Sequence, residues 1–236
     1  MRTNKNISGS GPYSWDNITG EKYYEILDIL DSSREDIDKQ VAICAVIEDI
    51  DEDEILSLPV AESAAKFSNL SFLNNFTLTK YENLRSVRIG DTQCNVVRNI
   101  GDINTSQFID WQMFIKQPLR ESYDKLLSIF LIPDGHKYNE GYDIASLQKD
   151  IRTQLSWPGV QSLLNFFLNR YLLSLEGTQL YLQRQIAKTK NEKLKEDLKQ
   201  QLMTTLNTMR KLCHMLKTMS STHGCVSLRE SSKRHI

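Results

Sequence analysis

The densest run of potential ligands in this chain is acidic and lies near residue 50. Asp49, Asp51 and Asp53 alternate along the sequence as the first three ligands of a calcium-binding loop do. The rest of such a loop is missing, because Glu54 stands at the sixth position, which needs glycine, and Val60 at the twelfth, which needs a bidentate glutamate. We therefore interpret these acids as solvated residues that stabilise the dipole of a helix start. The alternative is an acidic knob that docks on a basic surface of a neighbouring copy.

Four soft metal ligands lie close together near the C-terminus. Cys213 and His214 are adjacent, and His223 and Cys225 follow them. Adjacent residues of a helix point about 100° apart, and the paired ligand spacing that is typical of zinc ribbons is absent. We predict no metal and no other cofactor, and we place Cys213 on an apolar helix face.

Candidate catalytic groups are equally sparse. The chain has four histidines. His136 falls in a turn-rich segment, whereas His214, His223 and His235 fall near or in the C-terminal tail. A nucleophile needs a base and an orienting group beside it, and no Gly-x-Ser-x-Gly, P-loop or His-Glu-x-x-His motif occurs. We expect no catalytic residues and no enzymatic activity.

The two ends of the chain differ strongly in charge. Residues 180–236 carry 12 Lys and Arg against 4 Asp and Glu, whereas the first 179 residues carry 17 against 26. The overall charge of −1 therefore hides a basic C-terminal part and an acidic body. Opposite charges of this kind favour binding to other macromolecules, including further copies of the chain.

The sequence predicts neither a signal peptide nor a membrane span. No apolar segment follows the basic residues at the N-terminus. The most apolar stretch, residues 157–175, contains Asn165, Asn169 and Arg170 and is too polar to cross a bilayer unaided. We expect a cytosolic protein with no membrane partner, whose widely spaced cysteines stay reduced.

The elements that would position these groups are mostly helices, because glycine and proline are few and apolar residues recur at helical spacing. We predict a mainly α fold, with a helical bundle-like body, one small β-hairpin and a long C-terminal amphipathic helix. The expected organisation is a flexible N-terminal arm over residues 1–20, a helical body over 21–178 with the hairpin at about 84–98, a basic amphipathic helix over 179–219 and a polar tail over 220–236.

Two details of the body can also be predicted. Alternating apolar residues flank Gly90 and Asp91, which favours a tight turn between two strands. A helix that contains Tyr123 is expected to continue to Ile132, because Pro133 then ends it.

The last predicted helix carries an apolar stripe with steps of three or four residues. Its members are Leu194, Leu198, Leu202, Leu206, Met209, Cys213 and Leu216. Such a stripe needs another helix to cover it, so we expect bundle packing or self-association through it. The alternative is that the surrounding cations bind nucleic acid, although Glu192, Glu196 and Asp197 interrupt the basic face.

Two stretches of the body carry a resemblance to a known family. They are Leu84–Arg98 running into Asn104–Gln112, and Leu126–Gly135 followed by Tyr138, Asn139 and Gly141–Asp143. Their pattern and order resemble those of small structural proteins of tailed bacteriophages, especially phages of Bacteroides-like bacteria, in the style of tail assembly chaperones. The resemblance covers residues 21 to 175.

The resemblance implies a binding role in virion assembly. The expected partner is another phage protein, such as a tape-measure or connector component, and no catalytic residue is implied. The implied location is the cytoplasm of the bacterial host, with retention in the virion left open. The side chains that we assign to partner binding are Phe108, Trp111 and Phe114 on one helix, Tyr138 and Tyr142 in one loop, and Leu194, Leu198, Leu202, Leu206, Met209 and Leu216 on the C-terminal stripe.

Overall fold

The computed structural model describes residues 13–74 and 85–221, with side chains described as far as residue 217. The mainly α fold is confirmed. The α-helices in these ranges are α1 (Gly20–Asp31), α2 (Asp36–Glu48), α3 (Glu52–Leu56), α4 (Val60–Asn69), α5 (Thr105–Phe114), α6 (Leu119–Phe130), α7 (Ile144–Gln154), α8 (Trp157–Lys188) and α9 (Glu192–Ser221). The strands are β1 (Ser86–Ile89), β2 (Thr92–Val96) and β3 (Leu131–Pro133). Residues 1–12 of the expected arm and 222–236 of the expected tail lie outside the described residues.

The residues just before α1 belong to the body. Ile18 is fully buried, and the indole Nε1 of Trp15 donates a hydrogen bond of 3.1 Å to the carbonyl oxygen of Phe72. The side chain of Thr19 caps α1. The expectation of a flexible arm is therefore wrong for residues 13–20, because their aromatic and apolar side chains complete the core.

A small antiparallel sheet with the order β1-β2-β3 lies beside the helices. The expected hairpin is confirmed: β1 pairs with β2, and Gly90 adopts the positive φ that its turn requires. The third strand is a correction, because α6 ends at Phe130 and residues 131–133 pair with β2 instead of continuing the helix to Ile132. Strand β3 covers the edge that β2 would otherwise expose.

Helix α5 is held to the core at both ends. Asn104 and Gln107 form a capping box at its start, and the amide of Gln107 also donates 2.7 Å to the carbonyl oxygen of Ile129. Further along, the ring of Trp111 lies edge-on to Phe130 and to Tyr171 of α8, with centroids 5.0 and 5.3 Å away. These contacts fix α5 between α6 and α8.

Helix α8 spans 32 residues without interruption. Its first half, as far as Leu168, is buried in the body, and its second half carries one face toward α9. The boundary expected after residue 178 therefore falls inside a helix. The basic helix expected over 179–219 is divided, since residues 180–188 belong to α8 and α9 begins only at Glu192.

Candidate functional site

The second half of α8 and all of α9 form an antiparallel helical hairpin. Thr189–Asn191 make the turn, and the side chain of Asn191 accepts a hydrogen bond of 3.1 Å from the backbone N–H of Leu194. The less exposed residues on the α8 side include Tyr171, Leu175, Gln179, Leu182 and Ile186. Their steps of three and four residues are those of a coiled-coil seam. The predicted need of the C-terminal stripe for a helical cover is met within the chain.

Part of this hairpin extends beyond the body. Leu175 on α8 and Leu216 on α9 still pack against the main core. Leu182 is buried but does not belong to that core cluster, and among the described residues α9 contacts α8 far more than any other helix. The distal hairpin, residues 176–211, is thus held chiefly by the pairing of its own two helices.

The distal half of α8 also exposes apolar side chains on its outer side. Leu173, Leu180 and Tyr181 are 59%, 54% and 59% exposed. Leu180 follows Leu175 by five residues, which places it about 140° around the helix from the seam. We call Leu173, Leu180 and Tyr181 the outer stripe. A helix with two apolar faces, one of them uncovered, is typical of a surface that binds another protein.

The end of the hairpin is positively charged. Lys188, Lys190 and Lys193 surround the turn, and all three side chains are exposed. Among the described residues they form no ion pair, whereas Lys195 pairs with Glu192 at 3.4 Å. We call Lys188, Lys190 and Lys193 the basic tip.

A second candidate surface, which is concave, lies at the opposite end of α8, between α1, α6 and α7. This open groove has a volume of about 660 Å³. It is lined by Glu21, Tyr24, Glu25, Asp28, Arg120, Glu121, Tyr123 and Arg152, and we call it the acidic groove. Trp157, the first residue of α8, contacts its two tyrosines, with ring centroids 5.3 Å from Tyr24 and 5.8 Å from Tyr123.

Both arginines of the acidic groove are already paired with carboxylates. Arg120 donates to both oxygens of Asp28, with Nη1 2.6 Å from Oδ1, and this hydrogen bond lowers the pKa of Asp28. Arg152 donates at 2.7 and 2.9 Å to Asp124, whose side chain is only 4% exposed. Each guanidinium also lies 5.3 Å from the centroid of a tyrosine ring.

The remaining carboxylates of the groove are unpaired. Within the part of the chain that the structure describes, Glu21, Glu25 and Glu121 form no ion pair. The hydroxyl of Tyr123 is buried and has no hydrogen-bond partner among the same residues. The groove therefore offers excess negative charge, which suits a cationic ligand.

The residues predicted to bind a partner on α5 and in the loop after β3 differ in their exposure. Phe108 is 43% exposed, and Phe114 is half-buried under the Lys125 ammonium, 5.7 Å from its ring centroid. Trp111 is only 1% exposed, so its assignment to a partner surface is wrong for this conformation. Aromatic side chains at helical spacing turn inward when a core can receive them.

The two loop tyrosines also face the protein. Tyr138 is 6% exposed and its hydroxyl donates a hydrogen bond of 2.7 Å to Asp110. Burial and this bond raise the pKa of Tyr138. Tyr142 is half-buried and its hydroxyl accepts a bond of 3.4 Å from the backbone N–H of Asn139. Tyr138 is a structural anchor and is not available to a partner.

The C-terminal stripe is largely the inner seam of the hairpin. Leu198, Leu202, Leu206, Met209 and Leu216 are half-buried on this side, whereas Leu194 near the turn is 48% exposed. The stripe needs one correction, because Leu212 is fully buried and Cys213 is exposed. The outer stripe was missed by sequence reasoning, since Leu180 and Tyr181 were placed in the basic amphipathic helix and only its stripe from Leu194 to Leu216 was assigned to partner binding.

The acidic run near residue 50 is partly neutralised within the body. Asp49 pairs with Lys22 at 2.8 Å, and Glu52 pairs with Arg34 at 2.7 Å. No group of three or more His, Cys, Asp and Glu side chains in the described ranges could hold a metal ion. His223 and Cys225 of the considered zinc set lie outside those ranges. No helix there is both long and apolar enough to span a membrane.

No protein-family model, no curated protein and no solved structure matches this chain.

Proposed function

We propose that the protein is a non-enzymatic binding protein whose projecting α8–α9 hairpin is the binding arm. The observation that carries this proposal is the outer stripe: three large apolar side chains, each more than half exposed, on a helix whose other face is already covered by α9. Leaving such side chains in water forgoes the stabilisation that their burial would give, roughly 25 cal/mol per Å². A protein partner that covers these side chains gains that stabilisation.

The setting that we propose for this binding is the assembly of a tailed-phage particle, with a tail or other virion protein as the partner. Its support is the sequence resemblance of residues 21 to 175, together with a helical body that ends in an exposed apolar arm. In that setting the protein acts as an assembly chaperone or as a component of the particle, in the cytoplasm of the bacterial host.

A second candidate function is nucleic-acid binding through the basic tip. The observation that favours it is the absence of carboxylate partners for Lys188, Lys190 and Lys193 among the described residues. Phosphate binding weakens steeply as salt rises, whereas apolar association persists. A salt titration of each complex therefore separates the two functions.

Site-specific photocrosslinking tests the proposed arm. A benzophenone amino acid replaces Tyr181 on the outer stripe, in cells that make the protein, and the adducts are identified by mass spectrometry. We expect one discrete protein adduct, and in the phage setting a virion protein. The matched control places the same photocrosslinker at Lys149, an exposed position of α7.

Two apolar-to-charged variants sharpen this test. Leu180→Asp should abolish the adduct from position 181, because it places a charge within the outer stripe. Leu56→Asp changes a residue of α3 that is 64% exposed and should leave the adduct unchanged. Equal crosslinking from positions 181 and 149, or an adduct insensitive to Leu180→Asp, would contradict the proposal.

A further inference from the structure

We infer that the basic tip of one copy docks in the acidic groove of a second copy, so that the protein associates head to tail. This inference rests on the proposed function, since it names a partner for the projecting hairpin. It concerns the end of the hairpin and not the outer stripe, so the two can be tested separately.

The first argument is charge complementarity between two separate surfaces. The basic tip presents three exposed ammonium groups without carboxylate partners among the described residues, and the acidic groove presents three carboxylates, of Glu21, Glu25 and Glu121, without cationic ones. The arginines of the groove do not cancel this charge, because Asp28 and Asp124 already neutralise them. Complementary patches of this kind guide association and fix its register.

The second argument is the shape of the two partners. The hairpin ends in a three-residue turn, so the basic tip is narrow. The groove is open and concave, with a volume of about 660 Å³, and its walls include Tyr24 and Tyr123. Tyr123 is 1% exposed, so the half-buried ring of Tyr24 is the aromatic surface that the aliphatic stem of a lysine can contact.

The length of α8 excludes docking within one molecule. Trp157 at the start of α8 contacts the tyrosines of the groove, and Lys188 ends the same helix. At 1.5 Å per residue the two ends lie about 46 Å apart. A continuous helix keeps them apart, so the tip can reach only the groove of another copy.

The contact joins two different surfaces, so it leaves a free tip on one copy and a free groove on the other. Such heterologous contacts extend into open chains or close into rings. We therefore expect the mass to rise with concentration beyond that of a dimer, and to fall as salt screens the charges.

Zero-length crosslinking with a carbodiimide is the direct test. The carbodiimide activates a glutamate carboxyl, the lysine amine displaces the activator, and an amide forms with net loss of one water, which the carbodiimide takes up as a urea. Full-length protein is mixed as ¹⁵N-labelled and unlabelled copies at low salt. We expect mixed-isotope crosslinks between the basic tip and Glu21, Glu25 or Glu121.

Charge reversal supplies the matching solution experiment. A tip variant carries Lys188→Glu, Lys190→Glu and Lys193→Glu, and a groove variant carries Glu21→Lys, Glu25→Lys and Glu121→Lys. Light scattering should show each variant alone associating more weakly than the wild type by roughly tenfold or more. An equimolar mixture should associate again, because the reversed tip of one variant meets the reversed groove of the other.

Two further variants with the same changes in charge serve as controls. Lys199→Glu, Arg210→Glu and Lys217→Glu alter α9 away from the turn, whereas Asp51→Lys, Asp53→Lys and Glu54→Lys alter the acidic run near residue 50. Both should associate like the wild type. Circular dichroism checks that every variant keeps its helical content.

Several results would overturn the inference. The inference fails if the wild type stays monomeric at all concentrations, or if the mixture of the two charge-reversed variants does not associate again. It also fails if the control variant near residue 50 loses association. If truncation after Ser221 abolishes association, the groove binds the basic residues that follow Ser221 and not the basic tip. If the binding of duplex DNA needs the basic tip but association does not, the tip binds nucleic acid. In every case the adduct from position 181 remains an independent measure of the proposed function.

Discussion

Gly20 packs directly against the ring of Tyr123, one of the residues that line the acidic groove. A Cβ atom built on this residue would lie 2.7 Å from Cζ of Tyr123 and nearer still to its hydroxyl. The first turn of α1 therefore tolerates only glycine against that ring, although the φ of Gly20 is ordinary.

We accordingly expect Gly20→Ala to lower the free energy of unfolding by about 1–3 kcal/mol through overpacking. Chemical denaturation measures this, and Tyr123→Phe should reduce the loss because it removes the closest atom. The control is Gly177→Ala in α8, where a Cβ meets nothing within 4 Å, and it should stabilise the protein by about 0.5–1 kcal/mol. Equal losses from the two alanines would contradict the packing argument.

Cys44 and Cys94 are both fully buried, which predicts an alkaline limit to stability. Burial raises the pKa of the thiols of Cys44 and Cys94 from 9.0 to about 11. The folded state therefore retains its protons where the unfolded state loses them, so their contribution is complete below pH 9 and declines as the pH rises through 11. At pH 10 each thiol should reduce the free energy of unfolding by about 1 kcal/mol.

Denaturation at pH 8 and pH 10 measures this effect. The double variant Cys44→Ala and Cys94→Ala should show a smaller loss between the two pH values than the wild type, even if it is less stable at both. Cys213→Ala is the control, because that thiol is exposed and its removal should leave the difference unchanged.

At the scale of elements, α6 and α7 are joined by a buried carboxylate. Arg152 compensates Asp124, so Arg152→Ala leaves a charge that is nearly out of contact with water. We expect a loss of about 3 kcal/mol in the free energy of unfolding, at the low end for such pairs because the Arg152 side chain is 36% exposed. Arg34→Ala breaks an exposed pair with Glu52 and should cost under about 1 kcal/mol. If Arg152→Ala and Arg34→Ala lower the free energy of unfolding by similar amounts, burial of the carboxylate does not determine the cost of breaking the ion pair.

Leu182 and Leu212 report on the two parts of the hairpin. Both are buried, but only Leu212 belongs to the main core. Leu212→Ala should therefore lower global stability by about 2–5 kcal/mol. Leu182→Ala should mainly speed amide exchange in the distal hairpin and change global unfolding less. Exchange measured by mass spectrometry distinguishes the two, and a uniform increase throughout the body in Leu182→Ala would contradict the local role.

The sequence predicted those elements whose signals are local. The turn at Gly90 depends on neighbouring residues, and it is present. Strand β3 escaped prediction because its three residues become a strand only through pairing with β2. Trp111 and Leu212 show the same limit, since periodicity defines a helix face but not which neighbour covers it.

The candidate surfaces were predicted only in part. A change in composition near Leu180 suggested a new element, yet cations do not end a helix and α8 runs through it. The apolar seam was evident from its spacing, whereas the outer stripe lies on a helix whose apolar residues occur on nearly every side. The acidic groove gathers residues from three helices that are far apart in sequence, which no local pattern could reveal.

For the whole molecule, α8 belongs to two regions of unequal stability. Its first half lies in the main core, and its distal half is covered on one side only. Hydrogen exchange should therefore be slowest near Leu163 and Leu164 and faster beyond Gly177, although all these amides belong to one helix. Uniform protection along α8 in the monomer would show that the hairpin is as stable as the body.

In mechanical terms the hairpin is a cantilever, a beam fixed at one end, and its fixed end or root is where Leu175 packs against the main core. A force applied at the turn is transmitted along α8 and α9 to this root. Gly177 lies just beyond that root, with no side chain to stiffen the helix and no neighbouring atoms where one would be. Bending should therefore concentrate at this residue, so that the hairpin changes its angle to the body while each part keeps its own structure.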